Sequence, residues 1–417
     1  MCKLSKTVFV ISCIILPAII TATPASSFYQ RQTGDWATEF RGNARLLGII
    51  ANNPANSFFY QNEMDSTGGL TGRFLLDISN DDWFAFELNV YNQITYSSLE
   101  SKGYPSFTTT EKKRSQVFEN QYIDNQNADG RIVVDRINVS LYSDYAEITL
   151  GRQAVSLATT FYFTPNDFFY PFSAQNFYRI YKSGVDAARV ETKLGNLTQL
   201  TLLAVLGYKV DSESNNRNST AMDNDQNSYL VRILSVLTNF EIAVLAGKVF
   251  GQNMLGMSLQ GELFNWIGIR AEGHQSVLSD RLGWNPLFTI EFDHRYANSL
   301  NPKIAWFHNG IGTDKPSEYL KVLQESTTIL PYPGKSYLAI GTSYEFSPLL
   351  SGDIVAIVNL GDNSWQVSAN GIYSVNNETE ISLLVSIPFG TESNGLDVKS
   401  EFGLYPATAG FELRSYF

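Results

Sequence analysis

From about residue 35 to Phe417 the chain repeats one unit: a short stretch of alternating apolar and polar residues, a tight polar turn, a second such stretch, then usually a long polar loop. Leu70, Gly72, Phe74, Leu76 and Ile78 fall on one side of an extended segment, and Thr71, Arg73 and Asp77 on the other. After the turn Asn80-Asp81-Asp82, Phe84, Phe86, Leu88 and Val90 alternate with Ala85, Glu87 and Asn89. The same period of two returns at Ile137 to Leu141, Ala146 to Leu150, Phe288 to Asp293 and Trp365 to Asn370. Helical spacing accounts for none of these runs, whereas strands with one greasy and one wet side do.

Short turns are expected at Asn80 to Asp82, Ser143-Asp144, Gly195-Asn196, Thr238-Asn239, Asn265, Ala297 to Asn301, Ser347 to Leu350 and Asn376-Asn377. Most consist of Asn, Asp, Gly or Ser, which tolerate left-handed backbone or bond to their own chain. Long connections fall between them, near 49 to 68, 97 to 130, 154 to 182, 209 to 227, 310 to 335 and 389 to 408, with shorter ones near 252, 277 to 286 and 360 to 363. This regular swap predicts an all-β, up-and-down antiparallel barrel standing in a membrane, of about 18 strands, with about 16 as the alternative. Residues 28 to 417 are expected to be one such domain.

Composition sharpens this reading. Charged residues make up 17% of the chain and aromatic residues 13%, against a usual charged share of about 25%. Beyond the first residues no apolar run reaches the ~18 residues of a spanning helix. Lys3 and Lys6, the apolar run Thr7 to Ala22 broken by Pro17, and small residues at Ala25 to Ser27 predict a secretory signal over residues 1 to 27. Cys2 and Cys13, the only cysteines, lie inside it, which argues against a disulfide framework or a thiolate site in the rest of the chain. Removing Lys3 and Lys6 takes the formal charge from −11 to −13. So acidic an exported chain is a poor partner for nucleic acid.

Strand parity predicts which charges face the interior. Arg73, Arg136, Arg189, Arg232, Arg270, Arg295 and Arg414 fall on polar faces, as do Glu87, Glu147, Glu191, Glu272, Glu291, Asp293 and Glu412. In the bilayer core an outward Arg or Lys costs about 2–4 kcal/mol, so an interior position is expected, either bracing the wall or lining water. Phe161 to Phe172, followed by Phe177, Tyr178 and Tyr181, make the third long connection densely aromatic. Leaving such side chains in water forgoes about 1.5–3 kcal/mol each, so this loop is expected to fold into the lumen or onto the rim.

At this point the chain resembles the Gram-negative outer-membrane porins, whose third loop bends inward. The run Gly151-Arg152-Gln153, Pro165-Asn166-Asp167, Pro171 and Gly184-Val185-Asp186 is similar to a pattern in large porin-like outer-membrane proteins. The alternating end Phe411, Leu413, Ser415, Phe417 resembles the terminal signature read by the barrel-insertion machinery, with Ser415 departing from the usual apolar residue. The resemblance implies a diffusion channel for small polar solutes in the outer-membrane lipid, possibly a homotrimer, with Asp167 facing Arg136, Arg189 and Arg232 across a constriction. It implies no cofactor.

Catalysis finds little support. His274, His294 and His308 show no metal-ligand spacing. Glu291 and Asp293 share a face but read as wall charge before acid–base chemistry. Two other readings stay open: a plugged barrel acting as adhesin or receptor through its loops, and a secreted soluble all-β protein acting on glycans.

Overall fold

A computed structural model of the chain describes residues 28–55, 58–98, 114–174, 181–209, 221–277, 285–325 and 332–417. The expected signal, residues 1 to 27, lies outside them, as do Phe177 and Tyr178. Twenty strands form one antiparallel sheet. They are β1 (Tyr29–Thr33), β2 (Trp36–Asn52), β3 (Met64–Asn80), β4 (Phe84–Ser97), β5 (Glu119–Asp124), β6 (Ala128–Tyr142), β7 (Ala146–Ala154), β8 (Gly184–Lys193), β9 (Thr198–Val205) and β10 (Ser228–Leu237). The second half comprises β11 (Phe240–Val249), β12 (Gln252–Leu263), β13 (Ile267–Val277), β14 (Pro286–Asp293), β15 (Asn301–Asn309), β16 (Ser336–Ser347), β17 (Leu350–Asn359), β18 (Trp365–Asn376), β19 (Thr379–Phe389) and β20 (Ala407–Tyr416).

Eighteen of these close a ring. Each pairs with its sequence neighbour, β4 skips β5 to pair with β6, and β2 closes on β20. The expected barrel is therefore present, with the larger of the two strand counts. The short turns read from the sequence all open on one side of the ring, and a two-residue turn at Phe250-Gly251 lies on the other. Beside the polar residues of several turns stand exposed aromatic rings, as with Trp83 at 50%, Tyr145 at 83% and Phe264 at 90%. Thr238, Phe264 and Asn265 turn with positive φ.

Burial separates the two faces. On β12 Leu255 and Met257 are exposed outward, while Met254 and Ser258 on either side of them are buried. Cross-strand partners share a face, so the row Ser258, Glu272, Thr289, Phe307 is interior. The ring keeps the apolar belt outside and polar groups inside, as a sheet between lipid and water requires.

Two strands lie outside the eighteen. β1 pairs with Trp36 to Phe40 of β2, on the edge that β20 occupies higher up. Phe417 marks the junction: its backbone exchanges hydrogen bonds with Gly42 at 2.6 and 2.9 Å. Its ring lies over Gly42, where a Cβ would come within 2.6 Å of it. Phe28 and Phe74 pack on that ring at 6.3 and 6.1 Å.

The second is β5. Ile137 to Tyr142 of β6 pair with β7, but Asp129 to Val133 pair with β5 instead, so a piece of the second long loop completes the wall where β7 has ended. The gap between β5 and β7 is filled by Arg152, whose guanidinium grips Asp186 of β8 at 2.7 and 3.1 Å and donates to the carbonyls of Val134 and Ser115. Asp186 also accepts from the Ser115 amide and the Tyr208 hydroxyl. Gly151, at φ +115°, sits just before Arg152 where a Cβ would strike the Ile137 carbonyl. The short helix α1 (Tyr319–Glu325) lies in the long connection before β16.

Candidate functional site

The inner face carries ion pairs around much of the ring. Arg45 joins Glu412 at 2.6 Å, and Arg414 joins Glu412 at 2.7 Å and Glu380 at 3.4 Å. A longer chain runs Arg73, Asp135, Arg114, Glu119, Arg131, Asp129, alternating in sign at every step. Asp135 enters it because β6 bulges opposite Asn89 and Val90, which re-aims one extra side chain. Arg73 is further flanked by the rings of Tyr91 and Tyr181, 5.0 and 4.5 Å away.

Residues 155–174 of the third long connection pack on the interior face. The Thr159, Thr160 and Asn166 amides donate to the Glu272 carboxylate, the last two at 3.1 and 3.0 Å. The Phe161 and Tyr162 amides donate to Glu291 at 3.1 and 3.0 Å. Phe163 stacks on Phe307 at 5.0 Å and contacts Tyr332 and Tyr337. Phe168 meets His274 edge-on, and Phe168 and Phe169 cover an apolar patch with Val185, Val205, Leu230 and Leu245. At the far end Lys182 pairs with Asp167, and Arg136 donates to the Lys182 carbonyl at 2.9 Å.

The residues expected at a constriction fall in several settings. Asp167 is buried and pairs with Lys182. Arg136 pairs with Glu87, and Arg189 lies between Glu191 and Glu147. Arg232 has no carboxylate at ion-pair distance among the described residues. Glu272 and Glu291 face inward but are covered by the loop they hold. Arg270 and Asp293 pair beside a cavity of about 680 Å³ at the turn side of the barrel, which Glu241, Gln260 and Glu262 also line. Arg295 lies beyond the end of β14, where it pairs at the exposed turn rim with Glu345. Lys182, Asp135 and Arg114 escaped the sequence reading: two are in loops, and Asp135 falls on the wrong parity until the bulge is known.

The three histidines are absorbed by packing: His274 as above, His294 between Trp266 and Tyr296, His308 against Phe288 and Trp306. Among the described residues no group of carboxylates and histidines is spaced to hold a metal.

On the loop side a second polar knot forms inside the mouth. Glu401 accepts from the Tyr337 hydroxyl and the Asn359 amide, both at 2.6 Å, and its own backbone amide donates to Asp362 at 2.7 Å. Burial pushes the Glu401 carboxyl up to about 8 from an ordinary 4.5, outweighing its hydrogen bonds. With its folded-state value raised, the carboxyl contributes stability that is complete below the ordinary range and is lost as pH rises through about 8. Hydrogen exchange at Val398 to Leu404, corrected for the intrinsic rate, is expected to accelerate as pH rises from the ordinary carboxylate range to about 8 and to stay flat over that range in Glu401→Gln. Equal profiles for the two proteins would refute this.

No protein-family model matches the sequence, and no curated protein matches it. Solved structures match in fold. Pseudomonas aeruginosa OccK9 (OpdG) aligns with TM-score 0.58 at 9% identity, over 91% of this chain and 98% of that one. Acinetobacter baumannii OccAB3 aligns with TM-score 0.54 at 10% identity, over 91% and 99%. The outer membrane protein OpdK from Pseudomonas aeruginosa aligns with TM-score 0.53 at 9% identity, over 90% and 98%. The fold is thus that of the porin-like outer-membrane barrels. At such identities the likeness concerns the fold, and the solutes of those proteins do not transfer with it.

Proposed function

We propose that this protein is an outer-membrane channel through which small polar solutes diffuse passively, narrowed by residues 155–174 folded within the barrel. The observation that carries the reading is the inner face itself. Rings of this size enclose more space than side chains from the wall can fill, and here the wall is lined with ion-paired arginines and carboxylates while the outer belt is apolar. Part of the remaining space is taken by the third loop, which is held to one side by Glu272 and Glu291. Passage would be set by the width left opposite it. Liposomes carrying the refolded protein should swell in isotonic solutions of small sugars or amino acids, and planar bilayers should show discrete conductance steps. A barrel whose loops seal the lumen, as an adhesin or receptor would allow, gives neither result.

A further inference from the structure

We propose that the turn-side half of the lumen is a carboxylate-rich vestibule that makes the channel prefer cations over anions, so that its favoured solutes carry a positive group such as an ammonium. This rests on the channel reading above and adds a charge preference to it.

The register around the wall provides the first observation. Glu39, Asp77 and Glu87 are direct cross-strand partners on β2, β3 and β4, three acids in one interior row. Glu147 and Glu191 oppose each other on β7 and β8. Directly opposed like charges weaken a sheet, and nothing in the closure of the ring calls for them.

The second observation is the shortage of bases. Arg189 is shared by Glu147 and Glu191 at 3.9 and 3.2 Å. Arg270 is shared by Glu291 and Asp293. Glu39, Glu241 and Glu262 have no base at ion-pair distance among the described residues. Glu241 and Glu262 line the cavity of about 680 Å³ together with Asp293. Arg232 projects from the same wall with no carboxylate at ion-pair distance among the described residues, in the field of Glu241, Glu191 and Glu272. Arg41 pairs with Asp77 and Arg136 with Glu87, so the carboxylates on widely separated strands of the lower barrel are partly offset but still exceed the arginines between them. Rings of Asp and Glu favour cation entry, and a low-dielectric wall focuses their field along the passage.

Reversal potential in a planar bilayer under a KCl gradient at neutral pH tests this. The parent is expected to favour K⁺ over Cl⁻ by at least about threefold. The triple variant Glu39→Gln, Glu241→Gln, Glu262→Gln is expected to move towards equal permeability. These three side chains hold no ion pair, and heat-modifiable gel migration confirms that the variant is folded. A parent that is non-selective or favours Cl⁻ overturns the proposal, as does a folded triple variant with the parent's reversal potential. Absence of any conductance overturns the channel reading itself, and the charge preference with it.

Discussion

Conductance through the double variant Glu272→Ala, Glu291→Ala is expected to become noisy and, on average, several-fold larger than in the parent. These two carboxylates receive five backbone amides from Thr159 to Asn166. Hydrogen bonds to a charged acceptor contribute about 1.5–3 kcal/mol net each, so losing all five removes most of the polar fastening of this stretch and leaves the Asn166 side chain on the Met257 carbonyl. Phe163 and Phe168 would still sit in their apolar patches, so the loop should fluctuate on its remaining anchors without leaving the lumen. Gln at the same positions keeps one acceptor oxygen in each side chain and should give intermediate noise. Single-channel recording reads this directly, and a double variant with the parent's step size and quiet open level would remove these residues from the gating of the passage.

The second large effect concerns assembly. Arg152→Ala leaves Asp186 buried beside Ser115 without its guanidinium, and breaking a buried pair from one side costs about 3–5 kcal/mol. The loss falls where β5 has replaced β7, so the expected phenotype is a lower fraction of folded, heat-modifiable protein and a lower urea midpoint. Adding Asp186→Asn removes the stranded charge and should recover part of the midpoint. If Arg152→Ala refolds with an unchanged midpoint, the seam is held by β5 pairing alone.

Much of the wall was legible because its physics is local. A strand with lipid on one side must alternate, and a tight turn must use residues that reach unusual backbone angles, so Phe84 to Val90 and Asn80 to Asp82 could be placed without any partner in view. β5 was less visible: Glu119 to Asp124 sits inside a long polar connection, and only its pairing with β6 makes it a strand. α1 was hidden in the same way between β15 and β16. Parity also loses meaning where the loop replaces water. Val185, Leu203, Val205, Leu230 and Leu245 face inward yet are apolar, because Phe168 and Phe169 cover them.

The site was legible only to the level of a face. Alternation put Glu272 and Glu291 inside, but it could not tell that backbone amides more than a hundred residues earlier would cover them. Asp167 was picked from its setting in Pro165-Asn166-Asp167. Its partner Lys182 lies at the other end of the same loop, and no local pattern connects the two.

The aromatic rings beside the short turns mark where the bilayer ends. Trp83, Tyr145 and Phe264 stand exposed at the lower rim, and aromatic rings settle at the level of the headgroups. The bilayer must then reach down to the turns, leaving no protein skirt below it among the described residues, and under the proposed channel reading a solute leaving the lower opening would pass straight from the barrel into bulk water.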